Sequence, residues 1–374
     1  MPHRIARVIV NLSLDKAFDY RIPAALQGKL ELGSRVEVPF QHSMRPGFVV
    51  GLRNHSPFKK LKDVAQLLAE RPLITQPLLK LGEWMADYYC CSREQAIHSL
   101  LPAVVRKGKM TARKHKIVQL NPDRDMAAAV EDLERRRARR QVDIIKKLQL
   151  QHVIPLARLQ RHAGAVKALR EAELVLVEEE VTQRDPFADA NILRDTPLTL
   201  TDEQSRALAM ITADQDKDQR HTILLYGVTG SGKTEVYLQA IARSLERGRD
   251  AIVLVPEISL TPQTSARFRA RFGDQVSVLH SHLSDGERFD EWMRIHDGTV
   301  HVVVGARSAL FAPFRNLDLI IVDEEHETSY KQSEMPPRYH ARDVAVVRGQ
   351  REGATVVLGS ATPSLESFYN AQQG

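Results

Sequence analysis

The sequence predicts an α/β chain: a doubly wound parallel sheet, preceded by a β-rich domain and a smaller, mostly helical one. Three observations predict it. From Thr201 onward, apolar runs of strand length alternate with amphipathic helical segments, the pattern of a parallel sheet with crossover helices. Residues 1–55 alternate polar and apolar with period two. Residues 125–182 are helical in pattern, with one short β run at 174–177.

In chain order, Ser34-Arg-Val-Glu-Val-Pro-Phe40 and Gly47-Phe-Val-Val-Gly51 read as strands around a turn at Arg45-Pro46. Residues 76–100 read as a helix with Leu78, Leu81, Trp84, Met85, Tyr88 and Tyr89 on one face. Leu101-Pro102 closes it, and a basic tail follows at 106–116. Helical stretches at 126–149, 156–162 and 166–172, with the short β run, suggest a winged-helix-like domain. The run Arg135-Arg-Arg-Ala-Arg-Arg140 is either a solvated helix face or a phosphate-binding stripe. A polar linker with Asp185-Pro186 and Pro197 leads to the parallel sheet, whose strands fall at 221–226, 251–255, 300–304, 319–322 and 354–358. Ser284-Asp-Gly-Glu287 and Thr201-Asp-Glu-Gln204 are capping boxes that start helices. The expected divisions are 1–108, 115–183 and 196–374.

Gly227-Val228-Thr229-Gly230-Ser231-Gly232-Lys233-Thr234 carries the chemistry. It is a complete G-x-x-x-x-G-K-[ST] loop between an apolar strand and an amphipathic helix, the setting that confirms the motif. Its glycines let backbone N–H groups curl around phosphate oxygens, and the helix N-terminus adds positive partial charge. Lys233 is expected on the β/γ-phosphates and the Thr234 hydroxyl on Mg²⁺, so ATP and Mg²⁺ are the expected cofactors. The buried run 319–322 ends in Asp323-Glu324-Glu325-His326. Asp323 is placed to complete the Mg²⁺ shell and Glu324 to polarise the attacking water. Gln204 is either a helix cap or an adenine reader.

Composition bounds the rest. Residues 1–116 carry 20 Lys/Arg against 9 Asp/Glu, whereas the whole chain carries a net charge of only +6. A basic front end joined to a nucleoside-triphosphate site implies a polyanionic partner. Cys90 and Cys91 are adjacent, which suits neither a disulfide nor a structural zinc site. No apolar run reaches membrane-spanning length and no signal-peptide core is present, so a cytoplasmic protein with no membrane partner is expected.

Acid–acid–x–His after such a strand marks the DExH class of superfamily 2 helicases, and the companion loops follow in order: Pro256-Glu-Ile-Ser-Leu-Thr261, Gly305-Ala-Arg-Ser308 and Gly359-Ser-Ala-Thr362. With Ser329-Tyr-Lys-Gln332, Arg338-Tyr-His-Ala-Arg-Asp343 and Ala17-Phe-Asp-Tyr-Arg-Ile-Pro23, the chain resembles the primosomal protein N′ family, the bacterial replication-restart helicases. The resemblance implies a RecA-like first motor lobe (196–374) of an ATP-dependent 3′→5′ DNA helicase that recognises stalled forks and helps assemble the primosome. The other readings are a fork- and ATP-binding module without turnover, and another superfamily 2 translocase.

The resemblance further implies that Phe18, Asp19, Tyr20 and Lys62 bind the 3′ end of a leading strand, and that Arg307, Tyr330, Lys331, Arg338 and Tyr339 contact single-stranded DNA. His326 is counted with Lys233, Asp323 and Glu324 among the catalytic residues, and Ser360 and Thr362 would couple nucleotide state to the DNA contact. Primosome proteins and single-strand-binding protein are the implied protein partners. Gln41 stands where the family pocket has Gly, and Met335-Pro336-Pro337 where its loop has an aromatic. The chain stops at Gly374, soon after Gly359-Ser-Ala-Thr362, so it is read as an amino-terminal fragment, the alternative being a truncated gene product. The second lobe, the zinc cysteines and the C-terminal domain are expected outside it.

Overall fold

The computed structural model describes residues 4–10, 16–108, 114–181 and 194–373. Asp185-Pro186 of the expected linker and residues 109–113 of the basic tail lie outside them. The chain forms two compact units, one of residues 1–110 with 186–374 and the other of residues 111–185.

The larger unit begins with a five-stranded sheet: β1 (Ile5–Val10), β2 (Ala17–Arg21), β3 (Arg35–Phe40), β4 (Ser43–Arg53) and β5 (Gln66–Leu67), in order β2-β1-β4-β3-β5 with every pairing antiparallel. Val36, Val38 and Val49 fill its core, as period-two alternation requires. The β3–β4 hairpin turns through Gln41 at φ +50°, a left-handed conformation that favours glycine.

Three helices follow: α1 (Gln76–Tyr88), α2 (Arg93–Ser99) and α3 (Ala103–Lys107). Leu78, Leu81 and Met85 of α1 are fully buried, in one apolar cluster with Phe311 and Val344 of the later sheet domain. That shared core makes the β-rich front end and the sheet domain one unit. The α1 stripe divides in a way the helical spacing does not reveal, because Tyr88 is 63% exposed.

The smaller unit holds β6 (Lys114–Leu120), α4 (Met126–Arg135), α5 (Arg139–Gln151), β7 (Val153–Pro155), α6 (Ala163–Glu171) and β8 (Val175–Val181). Its antiparallel sheet runs β7-β6-β8, and Ile144, Ile145 and Leu148 of α5 anchor the core beneath it. Two expectations are corrected here. The pattern at 126–149 is two helices, with Arg136–Ala138 forming the break and Arg137 at positive φ, so the arginine run is not one helical stripe. Part of the expected basic tail is strand β6, paired along its length with β8.

The larger unit resumes with α7 (Asp202–Gln215), β9 (Thr222–Tyr226), α8 (Lys233–Glu246), β10 (Asp250–Leu254), α9 (Pro262–Phe272), β11 (Val276–Leu279), α10 (Asp285–His296), β12 (Val302–Gly305), β13 (Leu317–Val322), α11 (Ala341–Glu352), β14 (Thr355–Ser360) and α12 (Leu365–Gln373). The six strands form one parallel sheet in order β11-β12-β10-β13-β14-β9. Every residue of β10, β12 and β13 is buried, because helices cover both faces. Ile252 and Leu254 face one core while Ala251 and Val253 face the other.

Below the sheet's amino ends, Asp318 is fully buried. Arg220 Nη1 lies 2.7 Å from its carboxylate, Ser244 Oγ 2.8 Å and Gln215 Nε2 3.2 Å. The carboxyl ends of β9, β10, β12, β13 and β14 deliver the loops singled out in the sequence.

Candidate nucleotide and nucleic-acid site

The phosphate loop joins β9 to α8 at the sheet's edge, and its Gly227 N–H donates to Ser360 O of the neighbouring strand at 3.1 Å. Gly230 and Gly232 take φ of +81° and +80°. A Cβ on Gly232 would meet Gln204 Nε2 at 2.3 Å, and one on Gly227 would meet Ser231 Oγ at 2.8 Å. Helix α8 has Gly232 as N-cap and no side-chain cap; Glu235 N–H already donates to Gly232 O at 2.9 Å, which leaves the amides of Lys233 and Thr234 for an anion. Lys233 Nζ donates to Gly227 O at 2.7 Å, folded across the loop's mouth. A glycine cradle, uncapped helix N-terminus and ammonium together fit a nucleotide's phosphates.

Glu235, on the first turn of α8, was not singled out by sequence reasoning. Burial would raise its carboxyl. Arg271, Gln239 and the Leu198 N–H outweigh that and hold it below the usual range. Leu198 and Gln239 thereby strap the segment before α7 against α8. That strap delivers Gln204, whose Oε1 accepts from Thr201 N–H at 2.9 Å while Nε2 donates to Ser231 O at 2.8 Å. The capping box forms, and the other end of the amide props the phosphate loop.

Asp323 follows β13. Tyr237, one turn beyond Thr234 on the same face of α8, donates its phenol to Asp323 Oδ1 at 3.0 Å. Burial and the neighbouring Glu324 charge push the Asp323 carboxyl above its ordinary value, and the Tyr237 bond opposes them. Tyr330 donates to the Asp323 carbonyl at 2.7 Å. Two phenols therefore fix one aspartate, a constraint with no local signature in the sequence. The oxygen donors of Thr234 and Asp323 suit a hard cation such as Mg²⁺.

Glu324 sits at φ +47°, strained backbone of the kind that collects at functional sites. Its carboxylate lies 3.8 Å from His326 Nδ1. That nitrogen shares a hydrogen bond with Ser360 Oγ at 2.7 Å, and Nε2 lies 3.3 Å from Thr362 Oγ1. The structure thus brings Glu324, His326, Ser360 and Thr362 into one chain of contacts. Glu325 is a structural carboxylate. Burial raises it, but Ser364 N–H, Ser367 Oγ and Arg342 hold it below the usual range.

After the acidic box the chain makes a short hairpin, closed by the Lys331–His340 bridge. Arg307 Nη1 donates to Lys331 O at 3.0 Å, and Lys331 Nζ to Arg338 O at 2.7 Å. The three basic residues are thus linked through backbone carbonyls of the hairpin. Tyr330 and Tyr339 are corrected: at 1% and 4% exposure both are core residues, Tyr339 edge-on to Phe311, and neither offers a face to DNA.

In the front end, Phe18 and Tyr20 point to the sheet's core, Phe18 edge-on to Phe40 at 5.1 Å and Tyr20 buried. Tyr20 is thus also corrected from a DNA contact to a core residue. Asp19 faces the other way. Its side chain is 5% exposed, with Oδ2 accepting from Ser56 Oγ at 2.7 Å and Oδ1 3.7 Å from Arg7. Lys62 is exposed and donates to Gln41 O at 3.2 Å.

Two family models match the chain. A 3′ DNA-binding domain model matches residues 7–102, and a DEAD/DEAH box helicase model matches residues 201–370. Replication restart protein PriA of Bacillus subtilis (strain 168) is 39% identical over 99% of this chain and 54% of its own length. That of Chlamydia trachomatis is 38% identical over 99% of this chain and 50% of its own. The chain is similar to the N-terminal part of PriA. It spans about half the length of these curated PriA relatives. A third, from Synechocystis, is 46% identical over 56% of this chain and 25% of its own. Both model-matched stretches lie in the larger unit, and neither model reaches residues 103–200.

Proposed function

We propose that this chain is the fork-recognising front end and first motor lobe of an ATP-dependent 3′→5′ DNA helicase that restarts replication. One observation carries the reading. The phosphate loop, the acidic box and the cationic hairpin form a single bonded structure, joined through Asp323 by Tyr237 on one side and Tyr330 on the other.

Lys233 and the first-turn amides of α8 hold the phosphates, and Gln204 supports the loop from behind. Thr234 and Asp323 would hold Mg²⁺, which when bound neutralises charge on the β- and γ-phosphate oxygens. Glu324 takes a proton from the attacking water. His326 relays the state of that site to Ser360 and Thr362. Arg307, Lys331 and Arg338 hold DNA phosphates. By resemblance, primosome proteins and single-strand-binding protein are its protein partners.

In the front end, a free 3′-hydroxyl would replace the Ser56 hydroxyl on Asp19, one O–H donor for another. Lys62, exposed at the surface, would meet the terminal phosphate, while Phe18 stays with the core on the opposite face of the strand.

DNA-stimulated ATP hydrolysis tests the motor half. Lys233→Ala is expected to abolish hydrolysis by any longer protein containing this lobe while leaving fork affinity within about twofold, since the proposed end pocket lies on another sheet. An equal loss of fork affinity would contradict it.

A further inference from the structure

The front-end sheet offers no stacking face of its own beside Asp19. Phe18 is turned to the core against Phe40, and Tyr20 and Phe48 are buried. Among the described residues before α1, Phe58 is the one exposed Phe, Tyr or Trp, at 57%. It lies in the loop between β4 and β5. There Asn54-His-Ser-Pro-Phe-Lys-Lys-Leu-Lys62 carries three lysines and no carboxylate.

Two contacts fix that loop at the Asp19 carboxylate. Ser56 Oγ donates to Asp19 Oδ2 at 2.7 Å and accepts from the Phe58 N–H at 3.2 Å. One hydroxyl therefore joins the carboxylate to the backbone of the aromatic. Lys62 Nζ donates to Gln41 O at 3.2 Å, tying the far end of the loop to the β3–β4 turn. A lone exposed phenylalanine is ordinary. This one is held two residues from the hydroxyl that a 3′ end would displace.

We propose that Phe58 stacks on the base of the 3′-terminal nucleotide while Asp19 accepts from its hydroxyl. The inference deepens the end-binding reading above and rests on it. The two contacts divide the work. Asp19 selects a free end, because only a hydroxyl brings the donor its carboxylate needs. Phe58 adds affinity without base identity, because every base has a π-face. Lys59 and Lys60, exposed beside it, are placed for the strand's phosphates.

Forks whose leading strand ends in a normal nucleotide are compared with forks ending in an abasic residue, both with a free 3′-hydroxyl. Each is titrated with the 374-residue chain at fixed salt and without nucleotide, following the anisotropy of a label on another arm. Phe58→Ala should weaken binding of the base-bearing end about five- to hundredfold, the range for one lost base stack. It should leave binding of the abasic end unchanged, since ring and base form one contact. Phe58→Tyr should retain affinity, and Phe58→Leu, which keeps apolar bulk without the ring, should lose most of it. Each variant should still prefer a 3′-hydroxyl to a 3′-phosphate. Equal weakening on both ends, or unchanged affinity for both, would overturn the stack; a surviving hydroxyl preference would then leave the end-binding reading standing. No hydroxyl preference in the unaltered chain, or no binding at all, would overturn both. A dimer that Phe58→Ala dissociates without changing fork affinity would give the ring to a second copy and overturn the assignment.

Discussion

At the scale of single residues, the acidic box shows how much of a candidate site is held by groups outside the motif. Asp323 is aimed by Tyr237, whose phenol occupies one carboxylate oxygen. Tyr237→Phe removes that donor while keeping the ring's packing. We expect the half-saturating Mg²⁺ concentration for nucleotide binding to rise about tenfold, the usual consequence of losing a partner of a metal ligand. Binding of Mn²⁺ with a non-hydrolysable nucleotide checks this independently of turnover, and an unchanged midpoint would make Tyr237 mere packing. Gln41 offers a cleaner backbone test. At φ +50° a glycine relieves strain and a β-branched residue worsens it. Gln41→Gly should raise stability by up to about 1 kcal/mol and Gln41→Val lower it by about as much, read from denaturant midpoints. The phosphate loop is legible in sequence because its chemistry demands glycines at fixed spacing. Glu235, Tyr237 and Glu325 are not, because Arg271, Asp323 and Arg342, which define their roles, lie far along the chain. Tyr330 and Tyr339 mislead for a related reason, since an aromatic in a loop looks the same whether it faces solvent or the core.

At the scale of elements, the parallel strands are legible as unbroken apolar runs, since both sheet faces are covered and no polar alternation is needed. Short amphipathic pieces are harder. Strand β6 hides in a basic stretch, Lys-His-Lys-Ile-Val-Gln-Leu, whose partner β8 is distant in sequence. The α4–α5 break falls inside arginines that are all compatible with helix. Polar groups also fix the base of the sheet. Asp318 on β13 is fully buried and is served by Arg220, whose side chain is 5% exposed. Arg220→Met should leave that carboxylate without its charge partner and cost about 3–5 kcal/mol in equilibrium unfolding. A change below about 1 kcal/mol would show that Arg249, 3.6 Å from Asp318, carries the pairing instead.

At the scale of the molecule, the organising feature is the core shared by α1 and the sheet domain. Leu78, Leu81 and Met85 sit among residues of the motor's own interior. His296 Nε2 lies 2.7 Å from Pro72 O across the same boundary. This fusion is not legible in sequence, where an apolar helical stripe says only that something covers it. It means the front end and the nucleotide lobe present the residues proposed to contact DNA from one compact body.

Fork binding by the 374-residue chain, without nucleotide and at fixed salt, tests the central claim most directly. Forks whose leading strand ends in a 3′-hydroxyl are compared with forks ending in a 3′-phosphate. The account predicts preference for the hydroxyl, lost in Asp19→Ala and retained in Ser56→Ala, whose removed hydroxyl the ligand replaces. Equal, steeply salt-dependent binding of both forks would contradict it, leaving a generic basic surface in place of an end-reading pocket.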